Sequence, residues 1–141
     1  MQREGSDIKA SQTEVHAILE EWAKATRQNR KDDILKNHVP DLVVFDVLPP
    51  MKYESAESYR QSWDDWQPET QGEGQFDLEN LSVTVSTDLA FAHCFIRCGG
   101  TMPDGHTFQD LVRATFCLKQ VDGTWKILHQ HISKPTQQSS I

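Results

Sequence analysis

The sequence has few basic residues and no long apolar run. Its 14 Lys and Arg residues are outnumbered by 21 Asp and Glu residues, so the net charge is −7. A nucleic-acid surface needs clustered Lys and Arg to replace the counterions of the phosphates, so we expect no nucleic-acid partner. No segment approaches the roughly 18 apolar residues of a membrane span, and the N-terminal segment MQREGSDIKASQTE lacks the apolar stretch of a secretory signal. We therefore expect no membrane partner and a cytoplasmic location.

Cysteines and the common cofactor motifs are also scarce. The 3 cysteines are an odd number and do not form the framework of a disulfide-rich protein. Cys94 and Cys98 fall in one predicted strand, which separates their α-carbons by about 13 Å, too far for a disulfide. We expect free thiols in a reducing compartment. A Gly-rich phosphate loop, a Cys-x-x-Cys pair and a Gly-x-Ser-x-Gly turn are all missing, so we expect no cofactor.

What the sequence does contain is a strong β-hairpin signal over residues 107–134. Asp122-Gly123 separates two runs that are rich in β-branched and apolar residues, a pattern typical of a tight hairpin turn. Side chains alternate between the two faces of a strand, and both alternating sets contain apolar residues here. We therefore expect a sheet that is covered on both faces, by helices on one and by a second subunit on the other.

The rest of the chain predicts three helices and three further strands. Apolar residues at helical spacing predict helices from Ser11 or Thr13 to about Asn29, from Ile34 to His38, and from Ser55 to before Pro68. Runs rich in β-branched residues predict strands over 41–47, 76–86 and 89–101. We expect flexible ends over 1–10 and 135–141, with a single domain over 11–134. The order indicates an α+β fold with its helices on one face of a curved antiparallel sheet.

This order of elements resembles a known superfamily, and two motifs strengthen the resemblance. They are Arg113-x-Thr115 and the run Asp-Gly-x-Trp-Lys-Ile-x-His-x-His-x-Ser that begins at Asp122. Together they resemble the nuclear-transport-factor-2-like (NTF2-like) superfamily, in its SnoaL-like and ketosteroid-isomerase-like branch, over residues 12–134. The resemblance implies a cone-shaped fold, in which three helices from the N-terminal half cover the concave face of a curved antiparallel sheet. The superfamily includes isomerases, dehydratases, cyclases, binding domains and association domains, so fold alone does not define function.

The resemblance assigns a role to Asp46. The catalytic aspartate of ketosteroid isomerases sits at the end of the first strand, where Asp46 stands here, so Asp46 is a candidate general base. A structural role, as partner of a backbone amide or an arginine, is the alternative. Those isomerases also use a tyrosine and a protonated acid as an oxyanion hole, whereas Trp22 or Lys24 and Thr115 stand at these positions here. The resemblance therefore argues against steroid isomerisation and leaves other base-catalysed reactions open.

Arg113 is the candidate for holding an anionic substrate. It lies in mid-strand, where a guanidinium is costly unless it is paired, so it predicts either an anion clamp or an internal salt bridge. A Pro-Asp-Gly turn would pair His93 with Thr115 and Phe95 with Arg113. We expect these residues in a pocket within the cone, with His93 as an alternative base. The pocket's other predicted ligand-binding residues are Gln130, Trp22, Tyr59 and Trp63.

His129 and His131 point the same way along a strand, which is a spacing that metal sites use. The predicted hairpin register pairs them with Phe116 and Ala114, an apolar setting that offers no third ligand. We therefore expect core or interface histidines and no metal.

Two functions remain open on the sequence alone. One is a cofactor-independent isomerase, dehydratase or cyclase that acts on a mostly apolar anionic or carbonyl compound, with Asp46 or His93 as base and Arg113 holding the substrate. The other is a non-catalytic ligand-binding or association domain. We also expect a homodimer, because the face without helices would expose an apolar set that comprises Ala90, Ala92, Cys94, Ile96, Val112, Ala114 and Phe116.

Overall fold

The helices and strands follow the predicted order. The computed structural model describes residues 4–66 and 71–136. Its helices are α1 (Glu4–Arg27), α2 (Lys31–Ile34) and α3 (Ala56–Trp66). Its strands are β1 (His38–Phe45), β2 (Gln75–Val85), β3 (Leu89–Thr101), β4 (Thr107–Val121) and β5 (Thr124–Ser133).

The five strands form one curved sheet in the order β1-β5-β4-β3-β2. β2 to β5 are antiparallel neighbours, because a short turn joins each of them to the next. β1 has no such turn to its neighbour and lies parallel to β5, with His38 opposite Ile127. The α+β cone fold is confirmed, and β1 is the one strand that departs from the antiparallel arrangement that we predicted.

α1 is longer than the sequence pattern indicated. It begins at Glu4, so the described part of the predicted flexible N-terminus is helical. The hydroxyl of Thr13 donates to the carbonyl of Lys9 at 3.1 Å, which places Thr13 inside the helix and not at its N-cap. Asn29 follows the helix with a φ of 56°, the left-handed conformation that commonly ends helices. The apolar residues whose spacing predicted this helix pack against the sheet: Val15, Leu19, Trp22 and Ala25 are buried, and Ile18 is partly buried.

The turn between β3 and β4 sets the register of the central strands. Gly105 has a φ of 89°, which an L side chain rarely adopts. The turn pairs His93 with Thr115 and Phe95 with Arg113. The register predicted for this pair of strands is therefore confirmed.

The turn between β4 and β5 has the conformation that its sequence predicts. Asp122 and Gly123 have φ angles of 51° and 80°, so both central residues are left-handed as in a type I′ turn. Next to the turn, Gln120 pairs with Trp125 in the expected register. The predicted hairpin is confirmed.

Further from this turn, a β-bulge shifts the register of the hairpin. The shift falls between Cys117 and Leu118, and beyond it Cys117 pairs with His129 and Thr115 with His131. One extra residue in a strand turns every later side chain to the opposite face. The predicted pairs beyond the bulge are therefore wrong, namely His131 with Ala114 and His129 with Phe116.

We call the face that the helices cover the inner face and the opposite one the outer face. The residues that we predicted for an uncovered dimer face lie instead on the inner face, where they are buried: Ala90, Ala92, Cys94, Ile96, Val112, Ala114 and Phe116. Small side chains let a helix approach the sheet closely, and charged ones do not. Arg97, Arg113 and Lys119 all occupy the other alternating set, which is why that set faces outward.

β2 forms the edge of the sheet next to β3 and contains a second bulge. Its register with β3 shifts between Glu79 and Ser82. Within the shifted segment, Asn80 has a φ of 57°. The bulge therefore bends the edge strand midway along its length.

Candidate functional site

The predicted site residues lie on both faces of the sheet. His93, Phe95, Arg113 and Thr115 are exposed on the outer face. The other predicted residues lie on the inner side of the sheet: Asp46, Trp22, Tyr59, Trp63 and Gln130. Because the sheet separates the two groups, the structure does not join them in the one pocket that we predicted.

The outer-face group lines a cavity of about 470 Å³. Its polar lining residues are Asn80, His93, Arg113, Thr115, His131 and Ser133. Each of these side chains carries at least one hydrogen-bond donor, and none of the described residues that line the cavity is an Asp or a Glu. Such a cavity is suited to an anion.

Three of these lining residues were missed from the sequence. Asn80 reaches the cavity from the bulge of the edge strand β2. His131 and Ser133 are turned outward by the bulge in the hairpin. Neither bulge contains a Gly or a Pro that would have marked it, so the sequence did not predict that the side chains beyond each bulge change faces.

Arg113 is exposed, and the prediction of a buried charge in mid-strand was wrong. Its Nε donates to the Ser133 hydroxyl at 2.8 Å. Within residues 4–66 and 71–136, no carboxylate forms an ion pair with it. By contrast Arg97, on the same face, donates to both oxygens of Glu79 at 2.7 and 3.3 Å. The sequence predicted either an anion clamp or an internal salt bridge for Arg113. The described residues provide no partner for the salt bridge.

A row of paired residues crosses the outer face beside Arg113. His93 on β3 is opposite Thr115 on β4, and Thr115 is opposite His131 on β5. Phe45 on β1 continues the row, and its ring meets that of His131 edge-on with centroids 5.3 Å apart. The two histidines thus flank a hydroxyl on the same face of the sheet.

His129 lies next to this row and is fixed by two contacts. Its Nδ1 donates to the carbonyl of Val43 at 2.8 Å, because a carbonyl oxygen can only accept. Its ring also meets Phe45 edge-on, with centroids 4.9 Å apart. His129 therefore holds Phe45 in place between β1 and β5.

The inner-side group centres on a contact between Asp46 and Tyr59. The phenol of Tyr59 donates to Oδ2 of Asp46 at 3.0 Å, and the backbone N–H of Val47 donates to Oδ1 at 2.7 Å. Burial, and then the carboxylate of Asp46, hold the pKa of Tyr59 well above its usual range, so the phenol stays protonated. Asp46 is half-buried and fixed in orientation at the end of β1.

The predicted aromatic residues of the pocket form buried packing contacts. Tyr59 meets Trp63 edge-on at a centroid distance of 5.4 Å. Trp22 meets Phe116 on β4 and Phe76 on β2, both edge-on at 5.2 Å. All three predicted residues are at most 5% exposed, so they link α1 and α3 to the sheet.

Gln130 is a core residue and does not line the cavity around Arg113. Its Oε1 lies 2.9 Å from Nε2 of His38, and both side chains are buried. Burial lowers the pKa of His38 to about 4, although the hydrogen bond to Gln130 opposes this shift. Trp125 Nε1, His38 Nδ1 and Gln130 Nε2 are buried polar atoms with no protein hydrogen-bond partner in the described part of the chain.

Residues 4–66 and 71–136 contain neither a metal-binding cluster nor a membrane-spanning helix. No group of three or more His, Cys, Asp or Glu side chains there has an arrangement that could hold a metal ion. None of the described helices combines the length and the apolar character needed to cross a bilayer.

The sequence matches the SnoaL-like domain family over residues 15–137. A match that covers so much of the chain shows that this protein belongs to that family, within the NTF2-like superfamily. The resemblance stated from the sequence is thereby confirmed. No curated protein matches the chain.

Several solved structures share the fold. An NTF2-like protein of unknown function from Pseudomonas putida KT2440 is 28% identical, with a TM-score of 0.81 over 92% of this chain and 89% of that one. A Streptomyces avermitilis protein provisionally assigned as an NTF2-like dehydratase is 19% identical, with a TM-score of 0.77 over 92% of this chain and 99% of that one. The association domain of C. elegans CaMKII is 13% identical, with a TM-score of 0.72 over 91% of this chain and 98% of that one. At such low identity the last two show the fold alone.

Proposed function

We propose that this chain binds a small organic anion in the outer-face cavity, with the charged group of the ligand held by Arg113. The observation that carries the proposal is that Arg113 faces a cavity that the described part of the chain lines with hydrogen-bond donors and with no carboxylate. A guanidinium with an unpaired edge forms charge-assisted and often bidentate hydrogen bonds with carboxylates and phosphates, and these are roughly twice as strong as hydrogen bonds between neutral groups.

The surroundings of Arg113 support a ligand with an apolar body. Ser133 takes the Nε donor, and no described side chain takes the terminal nitrogens of the guanidinium, which leaves them to a ligand. Phe95 lies opposite Arg113 on β3 and is 43% exposed, which offers an apolar surface next to the charge. Thr115, which lies on β4 with Arg113, adds a hydroxyl donor. A few polar groups beside an aromatic ring are typical of small-molecule sites.

A catalytic version of this proposal uses His93 as the group that exchanges a proton with the substrate. His93 and Arg113 line the same cavity, so a substrate held by the guanidinium lies within reach of an imidazole. Asp46 faces the helices and is bound to Tyr59, so it cannot act on a substrate held by Arg113 on the other side of the sheet. This geometry narrows the proposed isomerase, dehydratase or cyclase activity to acid–base chemistry at His93.

The test is a thermal-shift screen of small carboxylates and ketones against the wild type and Arg113→Met. We expect aromatic or branched carboxylates to raise the melting temperature of the wild type and to lose this effect in the variant. One charge-assisted hydrogen bond contributes about 1.5–3 kcal/mol, so the affinity should fall by about tenfold or more.

Arg97→Met is the matched control, because Arg97 lies on the same face but is paired with Glu79 outside the cavity. This variant should bind as the wild type does. Equal losses in both variants would show a general effect of surface charge, and equal shifts in the wild type and Arg113→Met would refute the role of Arg113.

Association through the outer face is the second candidate function. The face carries four large apolar side chains with exposed fractions of 41–57%: Leu89, Phe91, Phe95 and Leu111. An uncovered sheet face with such residues is typical of a subunit interface. We propose a homodimer in which two outer faces meet, through these residues and not through the buried set that the sequence suggested. Because the cavity lies on the same face, ligand and partner would affect each other's binding.

A further inference from the structure

We propose that the ligand of the outer-face cavity carries a tetrahedral head group with two negative charges, of the phosphate-ester type, and that its binding takes up protons on His93 and His131. This inference rests on the proposed anion site and names its substrate class and its regulation. It follows from three cationic or protonatable side chains that share the cavity, namely Arg113, His93 and His131.

The register of the sheet sets the positions of these three groups. His93 and His131 flank Thr115 on the two neighbouring strands, so their α-carbons are about 10 Å apart across β4. Arg113 lies two residues before Thr115 on β4, about 7 Å along the strand and on the same face. A head group above the Thr115 hydroxyl is therefore within side-chain reach of both imidazoles and the guanidinium.

The side chains around this point offer more hydrogen-bond donors than the two oxygens of a planar carboxylate can accept. A carboxylate has two oxygens, whereas a phosphate ester offers three charged or partly charged oxygens directed away from its ester bond. The hydroxyls of Thr115 and Ser133 and the amide of Asn80 add to the donors from Arg113 and the imidazoles. A tetrahedral dianion fits this set better than a monocarboxylate.

The charged and titratable neighbours of His93 and His131 do not supply a negative charge. Their cross-strand neighbours are Ser82, Thr115 and Phe45, and Arg113, Cys117 and His129 lie on the adjoining positions of the outer face. The acidic side chain on β2 nearest to the cavity is Glu79, which Arg97 binds through both oxygens. A bound dianion is therefore the group that would favour the positive form of both imidazoles, because opposite charges within about 4–6 Å attract.

The experiment uses two probes whose charges do not change with pH. Sulfate carries two negative charges and methanesulfonate carries one, and both are tetrahedral. Acidification from about pH 8 to about pH 6 protonates imidazoles. We expect sulfate to bind the full chain about tenfold more tightly at the lower pH, with proton uptake measured by calorimetry in buffers of different ionisation enthalpy. Methanesulfonate should show a smaller change.

Three variants assign the effect to residues. His93→Gln and His131→Gln should each reduce the gain in sulfate affinity on acidification and reduce the proton uptake. His106→Gln is the control, because His106 is exposed in the β3–β4 turn and does not line the cavity. It should behave as the wild type does.

The outcomes separate this inference from the proposed function. If sulfate and small carboxylates bind through Arg113 with no dependence on pH, or if neither cavity histidine alters the proton uptake, the inference is wrong and the anion site stands. If no anion binds at either pH, or if Arg113→Met binds sulfate as the wild type does, both proposals are wrong.

Discussion

The phenol of Tyr59 on α3 donates a hydrogen bond of 3.0 Å to the carboxylate of Asp46 at the end of β1. This contact joins the third helix to the edge of the sheet through a half-buried charge and a buried donor. Because Val47 donates to the other oxygen, Asp46 has a hydrogen bond on each side of its carboxylate. A base with both oxygens engaged is held in one orientation.

Tyr59→Phe should destabilise the fold while leaving the aromatic packing in place. A hydrogen bond to a charged group contributes about 1.5–3 kcal/mol, so we expect a loss of about 2 kcal/mol in the free energy of unfolding, measured in urea. Combining Tyr59→Phe with Asp46→Ala should give less than the sum of the two single losses, because both changes remove the same contact. Strict additivity would contradict a direct bond between the two side chains.

The buried His38 predicts that stability falls on acidification. Its pKa is lowered from 6.5 to about 4 in the folded state, so between these values the unfolded chain binds more protons. The contribution of His38 to the free energy of unfolding is therefore fully present above pH 6.5 and decreases as the pH falls towards 4. The whole effect is on the order of 3 kcal/mol.

Urea unfolding at a series of pH values measures this effect of His38. His38→Gln keeps a donor for the Gln130 carbonyl and removes the titrating group, so its stability should change less with pH over this range. If the variant and the wild type show the same dependence, another group is responsible.

Arg113→Met should leave the fold intact. The guanidinium is exposed, and the Ser133 hydroxyl is its one side-chain partner within residues 4–66 and 71–136. Surface substitutions of this kind usually change the free energy of unfolding by less than about 0.5 kcal/mol. A loss of several times that size in chemical unfolding would show that Arg113 supports the sheet, and the loss of ligand binding in this variant would then have a structural cause.

Dimerisation through the outer face is tested by replacing its apolar residues. Sedimentation of the wild type at micromolar concentration should give twice the chain mass of 16.1 kDa. Phe91→Ser and Leu111→Ser should shift the protein towards the monomer, because each removes apolar surface from the interface. Met51→Ser is the control, since Met51 is 93% exposed in the loop after β1 and does not lie on the sheet face. A wild type that sediments as a monomer would end the proposal.

The fold was predictable because local signals agreed with one another. The Asp122-Gly123 turn and the Pro-Asp-Gly turn predicted three consecutive antiparallel strands. The apolar stripe from Val15 to Ala25 predicted the helix that covers them. The parallel pairing of β1 was not predictable in the same way. No short connection joins β1 to β5, so no turn chemistry specifies its direction.

The positions of some residues of the candidate site were predictable from the sequence, and those of others were not. Arg113, Thr115, His93 and Phe95 were placed together correctly because a marked turn sets their register. Gln130 was placed on the wrong face because the bulge in the hairpin has no sequence marker.

The assignment of the inner and outer faces was missed although a signal existed. Arg97, Arg113 and Lys119 share one alternating set, and three long charged side chains on one face indicate solvent. Because Arg113 was interpreted as a buried charge, the face that carries it was predicted to lie under the helices, and the opposite face was predicted to be uncovered.

The bulge at Asn80 also affects how copies of the chain can aggregate. β2 is an edge strand, and a straight edge exposes unpaired N–H and C=O groups on which strands of other molecules can add. The left-handed Asn80 bends this edge and breaks its regular row of backbone groups. A second molecule therefore cannot extend the sheet in register along β2. Growth into fibres through this edge is disfavoured, even though the outer face of the same sheet carries exposed apolar residues.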